Sequence, residues 1–481
     1  MLDWHISTPR LRSSLMPSAA TATPTATKLE AAPQAGHNRS TPPRPPGPSV
    51  LHGFGMLWFE QQLLARSQRR YGDIFTLKVP SFRNLVVVAN PTEIKRMFAG
   101  DPTLVHAGRG NRVLAPLVGL TSILLLDEAA HMQQRKLMLP AFHGERMRVY
   151  GDLMREATEA EIERWPIGQP FAVHESTQAI TLRIICRAVF GISDEGRLRV
   201  LEAALVEMLD RGQALIMVPE LQRDLGAWSP WGKFLRARDR VDALLFEEIR
   251  ARRTVADLEE RADVLSLLLQ ARDEDGSGMT DTQLRDELVT LLVAGHETTA
   301  SQLAWTLERL LRTPAALTRL KRELPEGDDY LECVIKESQR TRPVLTYSAL
   351  RTLTEPVELG RYSVPAGWTI AASAWLVQHR PELYPDPQAF RPERFEEGAP
   401  PPFSWVPFGG GVRRCLGAAF ATYEMRIVLR TILERCELEA PDPKPEAMRR
   451  RAITFVPGKG GRVVLRRRLV TAWSPPRSAG A

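Results

Sequence analysis

The feature that most constrains the fold is one long helical segment, residues 281–312. Thr280 and Gln283 form a capping-box pattern at its start, and Pro314 follows its end. Apolar residues recur at helical spacing in both halves: Leu284, Leu288, Leu291 and Leu292, then Leu303, Leu307, Leu310 and Leu311. At about 1.5 Å per residue the segment spans about 48 Å, enough to cross a whole domain. The rest of the chain must therefore pack around this helix.

A second feature is the run FGGGVRRCLG, residues 408–417, which opens into another helical pattern. The backbone N–H groups and the positive end of that helix lie beside Cys415 and favour a thiolate, which is a good metal ligand. Arg413 places a cation two residues from the sulfur. Glycines at 409, 410, 411 and 417 let the backbone turn tightly and approach a flat group. A haem with carboxylate propionates fits each part of this loop.

The order of residues in this loop resembles the haem-binding signature of the cytochrome P450 family. The matching positions are Phe408, Gly411, Arg413, Cys415 and Gly417. The resemblance implies that Cys415 is the iron ligand of a haem b, with the other signature residues around the cofactor. Three further cysteines lie in apolar, helix-like stretches and are predicted to be buried and structural: Cys186, Cys333 and Cys436.

The apolar face of the long helix is interrupted at AGHETT, residues 294–299. In one interpretation the helix is exposed at its centre, and Thr298 bonds back to the Ala294 carbonyl. In the other, Ala294 and Gly295 leave room above a flat cofactor, and a local bend holds water and dioxygen. AGHETT resembles the family's oxygen-binding motif, which implies that Glu297 and Thr298 are the catalytic acid–alcohol pair.

Cations are needed for the haem propionates, and three positions offer them besides Arg413. His131 and Arg135 are four residues apart and share a helix face, while Arg351 lies in a strand-like stretch. Taken alone, these could be a surface face and an isolated arginine. The resemblance implies that all three bind propionate.

Two spaced motifs predict a structural network. Glu337 and Arg340 are three apart on one helix face, and PERF contains Arg394. A surface pair would contribute almost nothing to stability. The resemblance implies instead a buried Glu–Arg–Arg network behind the cysteine loop. His379 is predicted to be structural.

The predicted organisation is one large domain. Residues 1–40, rich in Ala, Thr, Ser and Pro, are predicted to be disordered, and a transit peptide or a true start at Met16 are the alternatives. Residues 41–470 form the haem domain and 471–481 a flexible tail. No apolar run is long enough for a membrane span, and four cysteines without a CxxC pair favour a reducing, cytoplasmic location.

The resemblance implies a mainly α fold with small β-sheets, the cytochrome P450 fold. Periodicity agrees, because apolar helical runs dominate residues 145–340, while 85–90 and 361–367 read as strand and turn.

The net charge is +7. Arginine clusters at 449–451 and 466–468 are predicted to be solvated faces, and no nucleic-acid reading module accompanies them. The basic surplus favours an acidic electron donor such as a ferredoxin, with the protein itself a monomer.

The predicted reaction inserts one atom of O2 into a C–H bond of an apolar substrate. No flavin or nicotinamide fingerprint is present, so the electrons come from a separate donor. The resemblance implies a pocket built from residues 103–125, Leu291, Ala294, 344–347 and 455–456, which suits fatty acids, terpenoids, steroids or polyketides. Two alternatives stay open: a peroxide-dependent or non-oxygenating haem-thiolate enzyme, and a haem sensor without catalysis.

Overall fold

The computed structural model describes residues 28–31, 40–79, 82, 84–142, 146–192, 194–216, 221–226 and 228–469. The predicted tail 471–481 and most of the predicted disordered segment 1–40 lie outside these residues. Residues 28–31 differ from that prediction. Leu29 is buried in the core beneath a sheet, and Ala31 forms a β-bridge with Val357.

Helices dominate the fold, with about 54% of the described residues helical. They are α1 (Ser49–Trp58), α2 (Glu60–Tyr71), α3 (Pro91–Phe98), α4 (Ala107–Gly110), α5 (Ala115–Val118), α6 (Glu128–Met138), α7 (Arg146–Ile162), α8 (Val173–Phe190), α9 (Glu195–Ile216), α10 (Pro230–Arg253), α11 (Val264–Gln270), α12 (Asp281–Leu311), α13 (Pro314–Glu323), α14 (Asp329–Thr341), α15 (Ala374–Gln378) and α16 (Ala418–Arg435). The predicted mainly α class is confirmed. No helix among the described residues is long and apolar enough to cross a membrane.

The strands form small sheets at the edge of the helices. They are β1 (Ile74–Leu77), β2 (Leu85–Val88), β3 (Val105–His106), β4 (Pro170–Ala172), β5 (Tyr347–Leu353), β6 (Val357–Leu359), β7 (Tyr362–Val364), β8 (Thr369–Ser373), β9 (Cys436–Glu439), β10 (Met448–Arg451), β11 (Thr454–Pro457) and β12 (Arg462–Arg468). The largest sheet has the order β1-β2-β8-β5-β3, with β2 and β8 parallel. The others are β4-β12-β9, the hairpin β10-β11 and the hairpin β6-β7.

Helix α12 is the predicted long helix, and it runs through the middle of the domain. It begins at the predicted capping box, in which Thr280 and Gln283 exchange side-chain and backbone hydrogen bonds. It packs against α8, α10, α14 and α16 and against β11. Its apolar faces are therefore buried by neighbours on several sides, as expected for a central helix.

A fully buried ion pair on α14 supports the segment that leads into the cysteine loop. Arg340 Nε donates to Glu337 Oε2 at 2.7 Å, and Arg340 Nη2 donates to Glu337 Oε1 at 2.8 Å. Both side chains are 0% exposed, and Arg394 Nε lies 3.5 Å from Glu337 Oε1. The Glu–Arg–Arg network expected from the sequence is therefore present.

Gln378 carries this network to the loop. Arg340 Nη1 donates to the Gln378 carbonyl at 2.9 Å, and the Gln378 side chain accepts from the Val406 N–H at 3.0 Å. Val406 lies two residues before Phe408, where the cysteine loop begins. A change in the Glu337–Arg340 ion pair can therefore alter the position of the cysteine loop through Gln378. His379, as predicted, is held structurally, with its Nδ1 2.8 Å from the Trp375 carbonyl.

Candidate active site

The cysteine loop owes its shape to glycines in tight contact with α3. Gly409 and Gly411 have φ angles of 65° and 64°, which side-chain-bearing residues rarely adopt. A Cβ on Gly411 would lie 2.0 Å from the Phe98 carbonyl oxygen. The Cys415 N–H donates to the Phe408 carbonyl at 2.9 Å and closes the loop. Gly417 precedes α16 and differs, because a Cβ there would meet nothing within 4 Å.

Cys415 is the exposed cysteine, whereas Cys186, Cys333 and Cys436 are buried as predicted. The sequence predicts that Cys415 is a thiolate, but the structure without a bound metal favours the protonated thiol. The surrounding protein desolvates the sulfur and raises the pKa of Cys415, although the Gly417 N–H and the cations Arg135 and Arg414 oppose this. A bound metal cation would supply the missing charge, because metal coordination deprotonates a thiol. The loop therefore suits a metal-bound thiolate better than a free one.

Three arginines and a histidine gather beside the cysteine loop, and we call them the cation cluster: Arg135 and His131 from α6, Arg351 from β5, and Arg413 from the loop. Burial and the neighbouring arginines lower the pKa of His131 to about 4. Burial and Arg413 likewise lower the pKa of Arg351 to about 10. Groups that resist holding positive charge this close together favour an anion between them. The cluster can therefore hold the carboxylates of a haem.

Asp127 faces this cluster and was missed in the sequence. Its carboxylate accepts from Arg413 Nη2 at 2.7 Å and from the Gly108 N–H at 2.8 Å. Arg413 Nη1 also donates to the Ile123 carbonyl at 3.1 Å. Asp127 thus fixes the Arg413 side chain between α4 and the cysteine loop. The residue stands next to α6 without any motif of its own, so local sequence gives no signal of the contact.

The centre of α12 opens to one side. Between Leu284 and Leu311, Ala294 is exposed, and Thr298 is half-buried. Thr298 Oγ1 donates to the Ala294 carbonyl at 2.5 Å, which is the back-bond of the first interpretation. Both interpretations therefore describe the same turn, because the open side and the back-bond coexist. Gly295 lies against α8 and not at the open side. A Cβ at this position would be 3.0 Å from Ile185 Cδ1, so glycine allows the two helices to pack closely.

Glu297 points toward α8 and the β10–β11 hairpin. Gln178 Nε2 donates to Glu297 Oε2 at 2.7 Å, and Arg451 Nε lies 3.5 Å from Oε1. Burial raises the pKa of Glu297 although Arg451 and Gln178 oppose it. The sequence predicts a solvated face for Arg451. The structure differs, because Arg451 lies beside the carboxylate of Glu297. The neighbouring Arg450 is likewise engaged, bonded to Glu60 on α2.

The loop before α6 is fastened to the first half of α12. The Thr121 N–H and hydroxyl donate to Asp286 Oδ2 at 2.9 and 2.7 Å. The Ile123 N–H donates to Glu287 Oε1 at 2.6 Å, and Gln134 Nε2 donates to the same oxygen at 3.0 Å. Glu287 is fully buried, and its Oε2 has no hydrogen-bond partner among the described residues. The charge of an ionised Glu287 is thus stabilised by hydrogen bonds at only one of its two oxygens.

We expect Glu287→Gln to flatten the pH dependence of stability. Burial raises the pKa of Glu287 to about 8 from an ordinary 4.5, so the folded state binds an extra proton between these values. The free energy of unfolding therefore falls as pH rises through this window, by at most about 1.4 kcal/mol per pH unit. Glutamine carries no charge and removes this loss. Urea unfolding across the window measures the effect, with the exposed Glu259→Gln as control. Equal pH slopes in wild type and Glu287→Gln would contradict it.

The cysteine loop and the cation cluster lie in one region. Arg135 interacts electrostatically with Cys415, and α16, which begins beside Cys415, packs on α12. Cys415 could bind the iron of a haem, the open position at Gly417 could face its plane, and the cation cluster could bind its carboxylates. The residues present therefore fit this cofactor.

A model of the cytochrome P450 family matches residues 42–462. Cytochrome P450 135B1 of Mycobacterium tuberculosis is 41% identical over 452 residues, covering 91% of this chain and 94% of its own. Cytochrome P450 138 of Mycobacterium bovis is 38% identical over 428 residues, covering 89% and 96%. These names state a family and no substrate.

Solved structures give the same fold. The chain matches the cyanobacterial protein CYP120A1, solved with retinoic acid bound, with a TM-score of 0.79 and 23% identity, covering 90% of this chain and 100% of that one. It matches the haem domain of cytochrome P450DA with a TM-score of 0.77 and 23% identity, covering 90% and 98%. At this identity the likeness establishes the architecture alone.

Proposed function

Because this chain belongs to the cytochrome P450 family, whose members are in general haem-thiolate monooxygenases, we propose that it hydroxylates an apolar organic substrate with electrons from a separate donor. The observation that carries the proposal is an exposed Cys415 in a glycine loop beside the cation cluster, in which Asp127 pairs with Arg413. The cofactor is a haem b, which with thiolate ligation supplies dioxygen activation. Cys415 would hold its iron.

The remaining contacts to the haem come from residues around this loop. His131, Arg135, Arg351 and Arg413 would bind its carboxylates, because together they form the cation cluster. Phe408 and Gly417 would lie on the cysteine side and Ala294 on the opposite side. These roles fit the exposure of Ala294 and the open position at Gly417.

Glu297 and Thr298 would transfer protons at the central turn of α12. A raised pKa lets Glu297 hold a proton closer to neutral pH, which suits a general acid. Gln178 and Arg451 fix the carboxylate, so its position does not depend on the substrate. The Thr298 hydroxyl lies at the open turn and would orient water there. Its back-bond to Ala294 uses the hydroxyl proton and leaves the oxygen lone pairs available as acceptors.

The substrate would lie between the 103–125 loop, Leu291 and Ala294, and the segment from Val344. The Phe455 N–H donates to the Val344 carbonyl at 2.9 Å, so the β10–β11 hairpin closes this side. Fatty acids, terpenoids, steroids and polyketides are the classes proposed.

The electron donor is proposed to be an acidic ferredoxin that docks on the cysteine side, with the enzyme a cytoplasmic monomer. Arg414 is exposed next to Cys415 and offers a docking cation. Because exposed charges are screened over about 8 Å at physiological ionic strength, reduction at subsaturating ferredoxin should slow as salt rises. A rate independent of salt would contradict an acidic donor.

The test of the whole proposal is turnover of the four substrate classes with three supplies: a ferredoxin with its reductase, peroxide, or neither. Substrate-binding spectra first select compounds that enter the site. Product formed only with the reductase system supports the proposal. Product with peroxide alone identifies the peroxide-dependent alternative, and no product under any supply favours a sensor.

Thr298→Ala should uncouple electron use from product formation. The variant is expected to bind haem and substrate and to consume reductant, because neither the cysteine loop nor the cation cluster changes. Product per reducing equivalent should fall by about tenfold or more, since a positioned proton-transfer group typically contributes at least that much. Product, hydrogen peroxide and reductant are measured in the same reaction.

Two variants control for the loss of the helix back-bond. Thr298→Ser keeps the hydroxyl and should retain most coupling. Thr306→Ala removes the same kind of back-bond, 2.7 Å to the Gln302 carbonyl, away from the open turn. If Thr298→Ala left the ratio unchanged, or if Thr306→Ala lowered it equally, Thr298 would have only a structural role.

A further inference from the structure

Asp127 precedes α6 but does not cap it. An aspartate at this position usually accepts hydrogen bonds from the first N–H groups of its helix, yet its side chain forms no such bond among the described residues. The carboxylate instead accepts from the Gly108 N–H at 2.8 Å and from the Arg109 N–H at 3.2 Å. The next residue, Glu128, has a φ of 50°, which residues with a side chain rarely adopt. The chain therefore carries local strain at this point while the carboxylate binds partners outside α6.

Gly108 lets the 103–125 loop approach this carboxylate closely. A Cβ on Gly108 would lie 2.7 Å from Asp127 Oδ2 and 2.1 Å from the Leu125 carbonyl oxygen. Any side chain at position 108 would therefore displace the carboxylate or the chain before it. Helix α4, which contains Gly108, also packs against β5, the strand that carries Arg351. The loop is thus fixed between Asp127 and the strand of a cluster arginine.

Arg413 is held by three acceptors from the segment 123–127. Its guanidinium donates to the carbonyls of Ile123 and Leu126 and, at 2.7 Å, to Asp127 Oδ1. Asp127 is the charged one among the three. The exposed fractions of the Arg413 and Asp127 side chains are 12% and 17%, so solvent screens the pair weakly. Asp127 therefore directs the guanidinium and also neutralises part of its charge.

The charge of Asp127 acts on other members of the cation cluster besides Arg413. Burial lowers the pKa of His131, Arg351 and Arg413, and Asp127 opposes this lowering at all three positions. The carboxylates of a haem would face the same groups, and Asp127 would compete with them. One carboxylate of the protein therefore sets how much positive charge the cluster presents to the haem.

We propose that Asp127 is a positioning residue of the haem site, which holds Arg413 at the haem carboxylates and lowers the reduction potential of the iron. The inference rests on the haem site of the proposed function. Reduction adds an electron, so an anion beside the haem carboxylates disfavours the reduced form. Local charge and hydrogen bonds around a haem are among the means by which a protein sets its potential.

The same carboxylate links the potential to the 103–125 loop. With its two oxygens Asp127 binds the Gly108 and Arg109 N–H groups of that loop and the guanidinium of Arg413. In the proposed function this loop lines the substrate pocket. Any movement of the loop that displaces Asp127 would therefore change the charge beside the haem. A residue that only anchored the loop would affect stability and leave the potential unchanged.

The experiment is a spectroscopic redox titration of the haem-loaded full chain. Asp127→Asn keeps the shape of the side chain and an acceptor oxygen but removes the charge. Reduction by a fixed donor should become more favourable by at least about threefold, a rise of about 28 mV at about 59 mV per tenfold for one electron. Glu128→Gln is the matched control, since it removes a charge from the adjacent residue, whose side chain is 46% exposed and bonded to His106. Solvent screens that charge, so reduction should change by less than about 1.5-fold.

Other results would overturn the proposal. They are an unchanged or lower potential in Asp127→Asn, or an equal rise in Glu128→Gln. Asp127→Ser removes the same charge with a smaller side chain and is the second variant, and loss of haem from both would make Asp127 a structural residue only. A wild-type protein without the spectrum of a thiolate-bound haem would contradict the proposed function itself. That spectrum with an unchanged potential in Asp127→Asn would contradict the role of Asp127 alone.

Discussion

Replacing Cys415 by serine is expected to abolish the red-shifted Soret band that the reduced protein should show with carbon monoxide. This band requires a strong anionic sulfur donor to the haem iron, and a serine hydroxyl does not replace it. The loop itself should survive, because its closing bond uses the Cys415 backbone N–H and its turns depend on Gly409 and Gly411. Monooxygenase activity should be lost together with the band. The measurement is a difference spectrum beside a turnover assay.

The buried cysteines provide matched controls. Cys333→Ser and Cys436→Ser change the same atom at positions away from the cysteine loop. Burying a hydroxyl there costs some stability, yet the folded fraction should keep the red-shifted band. If either control lost the band while Cys415→Ser retained it, the ligand assignment would be wrong.

Glu337→Gln is expected to lower the free energy of unfolding by about 3–5 kcal/mol. The substitution leaves Arg340 fully buried without its countercharge, and removing one partner of a buried pair typically costs this much. Arg394, 3.5 Å from the same carboxylate, loses its countercharge as well. Urea unfolding of the haem-loaded protein measures the change.

Glu332→Gln is the control on the same helix. Glu332 pairs with Lys336 at 3.4 Å and Arg426 at 3.5 Å, but its side chain is 36% exposed. Exposed pairs of this kind contribute about 0–1 kcal/mol. If the free energy of unfolding fell by similar amounts in both variants, burial of the Glu337–Arg340 pair would not increase its contribution to stability. The haem content of Glu337→Gln is also expected to fall, because Gln378 transmits the disturbance to Val406.

Features with local signals could be predicted from the sequence. The leucine spacing and the capping box predict the long helix, and the ends of α12 agree with the predicted ends to within one residue. The Glu337–Arg340 pair follows from a three-residue spacing on one helix. The cysteine loop needs positive φ at Gly409 and Gly411, so its glycines are visible as a motif. The family followed from these local signals.

Contacts between distant segments could not be predicted. Arg451 approaches Glu297 only because β10 pairs with β11 against α12, and an arginine cluster alone gives no sign of it. Asp127 meets Arg413 through a loop fastened elsewhere on α12. The surrounding chain desolvates Cys415 and raises its pKa. This effect outweighs the lowering of the pKa by the N–H groups at the start of α16, which the sequence predicts. Desolvation of this kind is a property of the assembled fold.

The adjacent arginines of β10 make the length of that hairpin critical. Arg450 is bonded to Glu60 and Arg451 faces Glu297, so neighbouring positions on one strand serve opposite sides. Side chains alternate along a strand, and a shift of one residue exchanges their directions. A single-residue deletion before Arg450 would therefore bring Arg451 into the place of Arg450 and Ala452 into the place of Arg451, so that Glu297 would lose its fixed cation. Homologues that keep both acids should tolerate substitutions in this hairpin far better than changes in its length.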